Sequence, residues 1–147
     1  MVSVERIIEY TEQTTEAPLE TTIKPESSWP ENGSISFQNI WLSYRNDGNY
    51  ALKNITFTIK PKEKIGVVGR TGAGKTSLTV ALLRLVEPLG NIIIDGVDIS
   101  KLGLHQLRKN ISFIPQNPIL NETTLRENLD PAGELGDDYL WSALNKV

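Results

Sequence analysis

The sequence of 147 residues contains no cysteine, so disulfide bonds and thiolate-ligated metal centres are both excluded. A single histidine, His105, leaves too few imidazoles for a histidine-rich metal site. No apolar run approaches the roughly 20 residues that a membrane-spanning helix requires. The N-terminus carries charges at Glu5 and Arg6 and lacks the apolar stretch of a secretory signal peptide.

Positive charge is also scarce. The 15 lysine and arginine residues are outnumbered by 18 acidic residues, which gives a net charge of −3. Binding to nucleic acid usually requires a concentrated basic surface, and we therefore expect no nucleic-acid partner. The rest of the composition, with 39% hydrophobic and 22% charged residues, is typical of a globular protein.

The first part of the chain is predicted to hold a helix, a linker and two strands. Residues 1–10 place apolar side chains at helical spacing, whereas residues 11–33 are polar and contain three prolines. Alternating apolar residues then predict two neighbouring antiparallel strands, over residues 35–44 with a bulge near Asn39 and over residues 55–59.

After Lys64, the run at residues 65–68 is apolar without alternation, which predicts a strand buried on both faces over residues 64–68. Residues 111–114 are also predicted to form a buried strand. Residues 91–99 predict a further strand and turn. The remaining periodic segments predict helices: one after the glycine-rich loop as far as Pro88, then over residues 104–110, 124–129 (capped by Thr123 or Thr124) and 136–147.

A glycine-rich loop, GRTGAGKT at residues 69–76, matches the pattern GxxxxGK[ST]. It stands between a predicted strand and a predicted helix, which is the context that this motif requires. Gly69, Gly72 and Gly74 allow the backbone N–H groups to turn toward an anion without a Cβ atom in the way. The start of the following helix adds aligned donors and a partial positive charge. The loop therefore predicts a site for a nucleoside triphosphate.

The side chains of the loop have distinct predicted roles. Lys75 supplies a positive charge for the β- and γ-phosphates, and the Thr76 hydroxyl can ligate Mg²⁺. Ser77 is a candidate contact for the α-phosphate. The other predicted nucleotide-binding residues of the loop are Arg70, Thr71 and Ala73.

Further motifs extend this pattern over the whole chain. Tyr44 ends a predicted strand before the loop, and Gln116 follows the apolar run after it. With the phrases GRTGAGKTSL, IDGVDI, GLHQLR and IPQNPIL…LRENLDP, the sequence resembles the nucleotide-binding domains of ABC transporters. It is most similar to the second such domain of the multidrug-resistance-associated proteins of subfamily C. The segment SVERIIEYTEQTTEAP resembles the end of the last transmembrane helix of these proteins together with its linker. The segment LWSALNKV resembles in particular the proteins of the type of the subfamily's fourth member.

The resemblance implies an α/β fold of the P-loop NTPase class with an antiparallel β-subdomain, truncated before the signature motif and Walker B. It implies that ATP and Mg²⁺ are the cofactors and that Tyr44 stacks on the adenine. Gln116 is implied to contact Mg²⁺ and the membrane domain and, with Lys75, is assigned a catalytic role. The implied domains are the end of the last transmembrane helix at residues 1–10, a linker at 11–33 and the N-terminal part of the nucleotide-binding domain at 34–147.

The function implied by the resemblance is that of the ATP-binding part of an ATP-driven exporter of organic anions and xenobiotics. The expected partners are the first nucleotide-binding domain and the transmembrane domains of the same transporter, with this segment on the cytoplasmic face of the membrane. We expect no ATP hydrolysis by this chain alone, because the family's catalytic glutamate, switch histidine and signature motif would lie beyond Val147. In the family, two strands from that later part also separate the strands at 64–68 and 111–114, so we expect both to lack their neighbours here.

Other interpretations remain open. A soluble phosphate-loop kinase or GTPase would also use the loop, although the guanine-specific motif Asn-Lys-x-Asp does not occur. A non-transport ABC ATPase is a third possibility. Residues 91–95, NIIID, mimic a Walker B strand, but Gly96 stands where a glutamate should follow. We assign this stretch to the antiparallel β-part.

Overall fold

The computed structural model describes residues 2–13, 15–45, 47–118 and 120–147. It divides into two compact units, Met1–Ser112 and Phe113–Val147. The elements of the first unit are α1 (Val2–Thr11), β1 (Ile35–Leu42), β2 (Leu52–Ile59), α2 (Lys75–Leu82), β3 (Leu89–Ile94), β4 (Val97–Asp98), a 3₁₀ turn (Ile99–Lys101) and α3 (Leu104–Lys109). The second unit contains α4 (Leu125–Leu129) and α5 (Asp137–Leu144).

The four strands form one antiparallel sheet with the order β2-β1-β3-β4. This confirms the predicted pairing of the first two strands and the assignment of residues 91–95 to an antiparallel part. The pairing register shifts after Phe37, and Asn39 has a φ of 52°, which confirms the predicted bulge. A Cβ atom at Gly90 would lie 2.5 Å from the carbonyl oxygen of Asn39, so the bulge requires a glycine on the facing strand.

The core of the first unit combines residues of the sheet with residues of the helices. Phe37, Ile40 and Leu42 of β1 are buried together with Ile92 and Ile94 of β3. Ala81 of α2, Leu107 of α3 and the neighbouring Ile99 and Leu102 belong to the same cluster. Burial of each large aliphatic side chain contributes about 1.5–3 kcal/mol, so this cluster fixes α2 and α3 relative to the sheet.

The prediction of a buried strand at residues 64–68 is wrong for this structure. The segment forms no strand, and Val68 is 95% exposed. The backbone of residues 65–68 makes no hydrogen bond to any part of the chain that the structure describes. Residues 111–114 also form no strand, and Ile114 is 88% exposed. The physical reason is the same in both cases, because a strand needs a neighbouring strand to pair with and no described segment supplies one.

The predicted helices form, with different ends. Helix α2 ends at Leu82 instead of continuing to Pro88, because Arg84 adopts a left-handed conformation with a φ of 50°. Helix α5 ends at Leu144, before the last residues of the chain. At the start of α4 the capping residue is Thr124, which accepts a hydrogen bond from the Glu127 amide while the Glu127 side chain bonds back.

Helix α1 confirms the predicted helix at the N-terminus. It is short, and Val4, Ile7 and Ile8 are exposed along it. Among the residues that the structure describes, no helix combines the length and the apolar character needed to cross a membrane.

Candidate phosphate-binding site

The glycine-rich loop leads directly into α2, and the backbone at its end requires glycine. Gly72 and Gly74 have φ values of 81° and 85°, which side-chain-bearing residues rarely adopt. A Cβ atom at Gly74 would also lie 2.9 Å from the carbonyl oxygen of Ala51 and 3.2 Å from Cδ2 of Leu52. The close approach at Gly74 therefore fixes the end of the loop against the start of β2.

The N-terminus of α2 is open. The backbone N–H groups of Lys75, Thr76 and Ser77 have no hydrogen-bond partner among the described residues, and the first amide that is bonded belongs to Leu78, 3.3 Å from the Gly74 oxygen. By contrast, the first two amides of α3 donate to carbonyl oxygens, and α4 has a capping box. Three free donors at a helix N-terminus carry a partial positive charge and form a ready site for an anion.

The Lys75 ammonium group lies over the loop. Its Nζ donates to the carbonyl oxygens of Gly69 at 2.7 Å and Arg70 at 2.8 Å. The side chain thus places a full positive charge on the loop that leads into α2. The neighbouring Thr76 is exposed, and its hydroxyl has no partner within residues 2–13, 15–45, 47–118 and 120–147. This hydroxyl remains available to ligate a cation. The other predicted loop residues, Arg70, Thr71 and Ala73, are exposed.

Tyr44 lies beside the loop. Its hydroxyl is 2.9 Å from Oγ of Ser77, the third residue of α2, and either atom can donate. Ser77 is buried, whereas about half of the Tyr44 side chain is exposed. The fold therefore brings the predicted adenine-stacking residue and the predicted α-phosphate contact together. Their roles toward a nucleotide stay predictions.

Gln116 belongs to the second unit and is exposed there. Its predicted contact with Mg²⁺, its coupling to a membrane domain and its catalytic assignment stay predictions. In the described part of the chain, no group of three or more histidine, cysteine or acidic residues is placed to hold a metal ion.

Asp95, the residue that mimics the end of a Walker B strand, binds the backbone of residues 32–34. Its carboxylate accepts hydrogen bonds of 2.7–2.9 Å from the amides of Asn32, Gly33 and Ser34 and from the Ser34 hydroxyl. Partial burial acts to raise the pKa of Asp95, but the four donated hydrogen bonds outweigh it and hold the pKa well below its usual value. The carboxylate therefore stays ionised and binds residues 32–34 to the turn between β3 and β4.

Two arginines that belong to no recognised sequence motif organise the C-terminal end of α2. Arg84 is 6% exposed and donates through Nη1 to the carbonyl oxygens of Ile99 and Leu102, both at 2.8 Å. Arg108 donates to the carbonyl oxygens of Leu83 and Arg84, both at 3.0 Å. Helix C-termini favour cationic donors such as Arg108, but this residue lies in α3 and no sequence signal connects it to the end of α2.

Comparison with known proteins gives concordant matches. The family described as ABC transporter matches residues 52–147, more than half of the chain. Over 147 residues the chain is 52% identical to ATP-binding cassette sub-family C member 4 of Mus musculus, which covers 100% of this chain and 11% of that protein. It is 52% identical over 149 residues to ABC transporter C family member 12 of Dictyostelium discoideum, again with 100% and 11% covered.

A third relative is similar to nearly the same degree. ATP-binding cassette sub-family C member 2 of Mus musculus is 51% identical over 145 residues, which cover 98% of this chain and 9% of that protein. The chain thus spans about a tenth of the length of the curated relatives that it matches.

Proposed function

Because the chain belongs to the ABC transporter family, we propose that it is the ATP-binding part of a subfamily C exporter in which ATP hydrolysis drives transmembrane transport of organic anions. The observation that carries the proposal is the open N-terminus of α2, which has three free amides and follows directly on the loop that the Lys75 ammonium group contacts. Full-chain similarity to subfamily C members does not favour a soluble kinase or GTPase.

The residues present fit Mg·ATP. The free amides of Lys75, Thr76 and Ser77 would bind the phosphates, and Lys75 would exchange two carbonyl oxygens for phosphate oxygens, which accept stronger charge-assisted hydrogen bonds. The Thr76 hydroxyl would ligate Mg²⁺, and the Tyr44 ring would stack on the adenine. On the family resemblance, we also propose a Mg²⁺ contact for Gln116. When bound, Mg²⁺ neutralises charge on the phosphate oxygens.

We further propose that the chain belongs to the second nucleotide-binding domain of a longer transporter. Residues 1–10 would end its last transmembrane helix, residues 11–33 would form the linker, and residues 34–147 would begin the domain. The unpaired runs at 64–68 and 111–114 support this division, because their apolar sequences suit buried strands whose neighbours would come from elsewhere in the protein.

The partners would then be the first nucleotide-binding domain and the transmembrane domains of the same protein, with this segment on the cytoplasmic face of the membrane. Phosphoryl transfer needs a group that orients the attacking water and a clamp at the γ-phosphate. We assign both to other parts of the transporter, so the chain alone should show no ATP turnover. A steady ATPase rate that Lys75→Ala abolishes would contradict this assignment.

The proposed function is tested by transport in inside-out membrane vesicles that contain the protein at its natural length. The measurement is ATP-dependent uptake of a panel of organic anions, including a glutathione conjugate. Uptake should occur in the wild type, should be lost in Lys75→Ala and should be retained in Lys60→Ala, which removes an exposed lysine outside the loop. Absence of any ATP-dependent uptake across the panel, or full uptake in Lys75→Ala, would contradict the proposal.

A further inference from the structure

Residues 16–34, called the strap below, contain no helix or strand, and yet they are bound to the rest of the first unit. At one end, Trp29 is only 7% exposed, and its indole N–H donates to the carbonyl oxygen of Ile94 at 3.0 Å. The Asp95 carboxylate holds the amides of residues 32–34 next to it. These contacts fix the end of the strap to the turn between β3 and β4.

The other half of the strap is bound to the start of α3. The amides of Leu104 and His105 donate to the carbonyl oxygens of Pro18 and Leu19, each at 3.1 Å. The first amides of a helix have no partner within the helix itself, so the strap satisfies two of these donors. The Thr21 hydroxyl adds a 3.1 Å hydrogen bond to the Lys101 carbonyl oxygen.

Gly103 shows how closely the strap approaches. A Cβ atom at this position would lie 2.5 Å from the Leu19 carbonyl oxygen and 2.7 Å from the Glu20 Cα atom. Gly103 has an extended conformation, with φ −66° and ψ 146°, which any residue can adopt. The close approach of the strap, and not the backbone conformation, therefore requires a residue without a side chain here.

Helix α3 connects the strap to α2 through Arg108. The guanidinium group of Arg108 bonds the carbonyl oxygens of Leu83 and Arg84 just after the end of α2, and it lies 3.7 Å from the Glu16 carboxylate of the strap. The opposite end of α2 carries the free amides of the phosphate loop. An eight-residue helix is a rod of about 12 Å, so a shift at its C-terminal end also moves those amides.

We propose that docking of the strap on α3 is coupled to nucleotide binding at the phosphate loop, with Arg108 as the positioning residue between them. The docked strap holds α3, and Arg108 then holds α2 where its free amides converge on the phosphates. Coupling of this kind is reciprocal, so bound nucleotide must stabilise the docked strap by the same factor. The ligand in this inference rests on the proposed function. In the proposed transporter the strap follows the last transmembrane helix. The coupling would then connect that helix to the phosphate loop, in addition to the connection proposed for Gln116.

The test compares Gly103→Ala with Gly136→Ala in the protein at its natural length. Both glycines precede a helix in an extended conformation, but a Cβ atom at Gly136 meets nothing within 4 Å. Amide exchange at Leu104 and His105 reports strap docking, and equilibrium binding reports Mg·ATP affinity. We expect Gly103→Ala to accelerate exchange by about tenfold or more and to weaken Mg·ATP severalfold, with Gly136→Ala unchanged. In the wild type, Mg·ATP should slow the exchange of the same two amides. The factor should equal the factor by which Gly103→Ala weakens Mg·ATP binding.

A second variant separates the coupling from the docking. Arg108→Ala should leave the two amides protected, because an exposed ion pair at 3.7 Å contributes little. It should nevertheless abolish their response to Mg·ATP, and Arg108→Lys should restore part of it through one donated hydrogen bond.

Three results would overturn the inference. The first is fast exchange of the Leu104 and His105 amides in Gly103→Ala with no loss of Mg·ATP affinity. The second is an Arg108→Ala variant in which Mg·ATP slows the exchange of these amides as much as in the wild type. The third is exchange of the two amides that is as fast in the wild type as in Gly103→Ala. Failure of the proposed function looks different, since the wild type would then bind no Mg·ATP. That result would remove the coupling, while amide exchange would still decide whether the strap is docked.

Discussion

Replacing Gly74 by alanine should disrupt the end of the phosphate loop far more than replacing Gly72. Both residues have positive φ values, of 85° and 81°, and an alanine in this conformation costs about 1–2 kcal/mol. At Gly72 the new Cβ atom meets nothing within 4 Å. At Gly74 it meets the Ala51 carbonyl oxygen at 2.9 Å and the Leu52 side chain at 3.2 Å. Overpacking against a fixed backbone typically adds about 1–3 kcal/mol.

The free energy needed to open the end of the phosphate loop and the first turn of α2 should therefore fall. The decrease should be about 1–2 kcal/mol in Gly72→Ala and about 2–5 kcal/mol in Gly74→Ala. Amide exchange at Leu78 measures it, because this N–H donates to the Gly74 carbonyl oxygen. The experiment is performed without nucleotide, so that lost phosphate contacts do not enter the comparison. Equal losses in the two variants would refute the close approach between Gly74 and the start of β2.

Three further predictions concern single side chains. Tyr44→Phe should weaken Mg·ATP binding slightly and Tyr44→Ala markedly, because stacking needs the ring and not the hydroxyl; equal losses in a binding titration would show that the ring does not stack on adenine. In a transporter that carries this segment, Gln116→Ala should reduce transport more than ATP affinity, and a large, equal loss of affinity would make Gln116 chiefly a binding residue. Asp95 has a lowered pKa in the folded chain, so its stabilising effect is complete above the unfolded value of about 4 and is lost as the pH falls through the folded pKa. Urea midpoints between about pH 6 and about pH 2 should fall less steeply in Asp95→Asn than in the wild type, and parallel slopes would contradict this role.

The local parts of the fold were predictable from the sequence because their determinants are local. Alternating apolar residues predicted β1 and β2 as neighbours, and the break in alternation near Asn39 marked the bulge. Thr124, one of the two threonines predicted to cap α4, does so and forms a capping box with Glu127. The glycine spacing placed the loop before α2, where the structure has three free amides.

The remaining features depend on contacts that are distant in sequence. Residues 64–68 have the composition of a buried strand, but composition does not supply the neighbouring strand that the described chain lacks. Helix α2 ends early because Arg84 turns left-handed and donates to the carbonyl oxygens of Ile99 and Leu102. Binding of the strap to α3 was also not apparent from the sequence, because the polar, proline-rich sequence of the strap is typical of a linker. The need for glycine at position 103 becomes clear only from the close approach of the Leu19 carbonyl oxygen.

The central claim is that the open N-terminus of α2 and Lys75 form a nucleoside triphosphate site. Equilibrium binding of Mg·ATP to the protein at its natural length tests it most directly, with Lys75→Ala as the variant and Lys60→Ala as the control. A charge-assisted hydrogen bond contributes about 1.5–3 kcal/mol, so Lys75→Ala should weaken binding by about tenfold to somewhat over a hundredfold, while Lys60→Ala should bind like the wild type. Wild-type affinity in Lys75→Ala, or no saturable binding in the wild type, would contradict the claim.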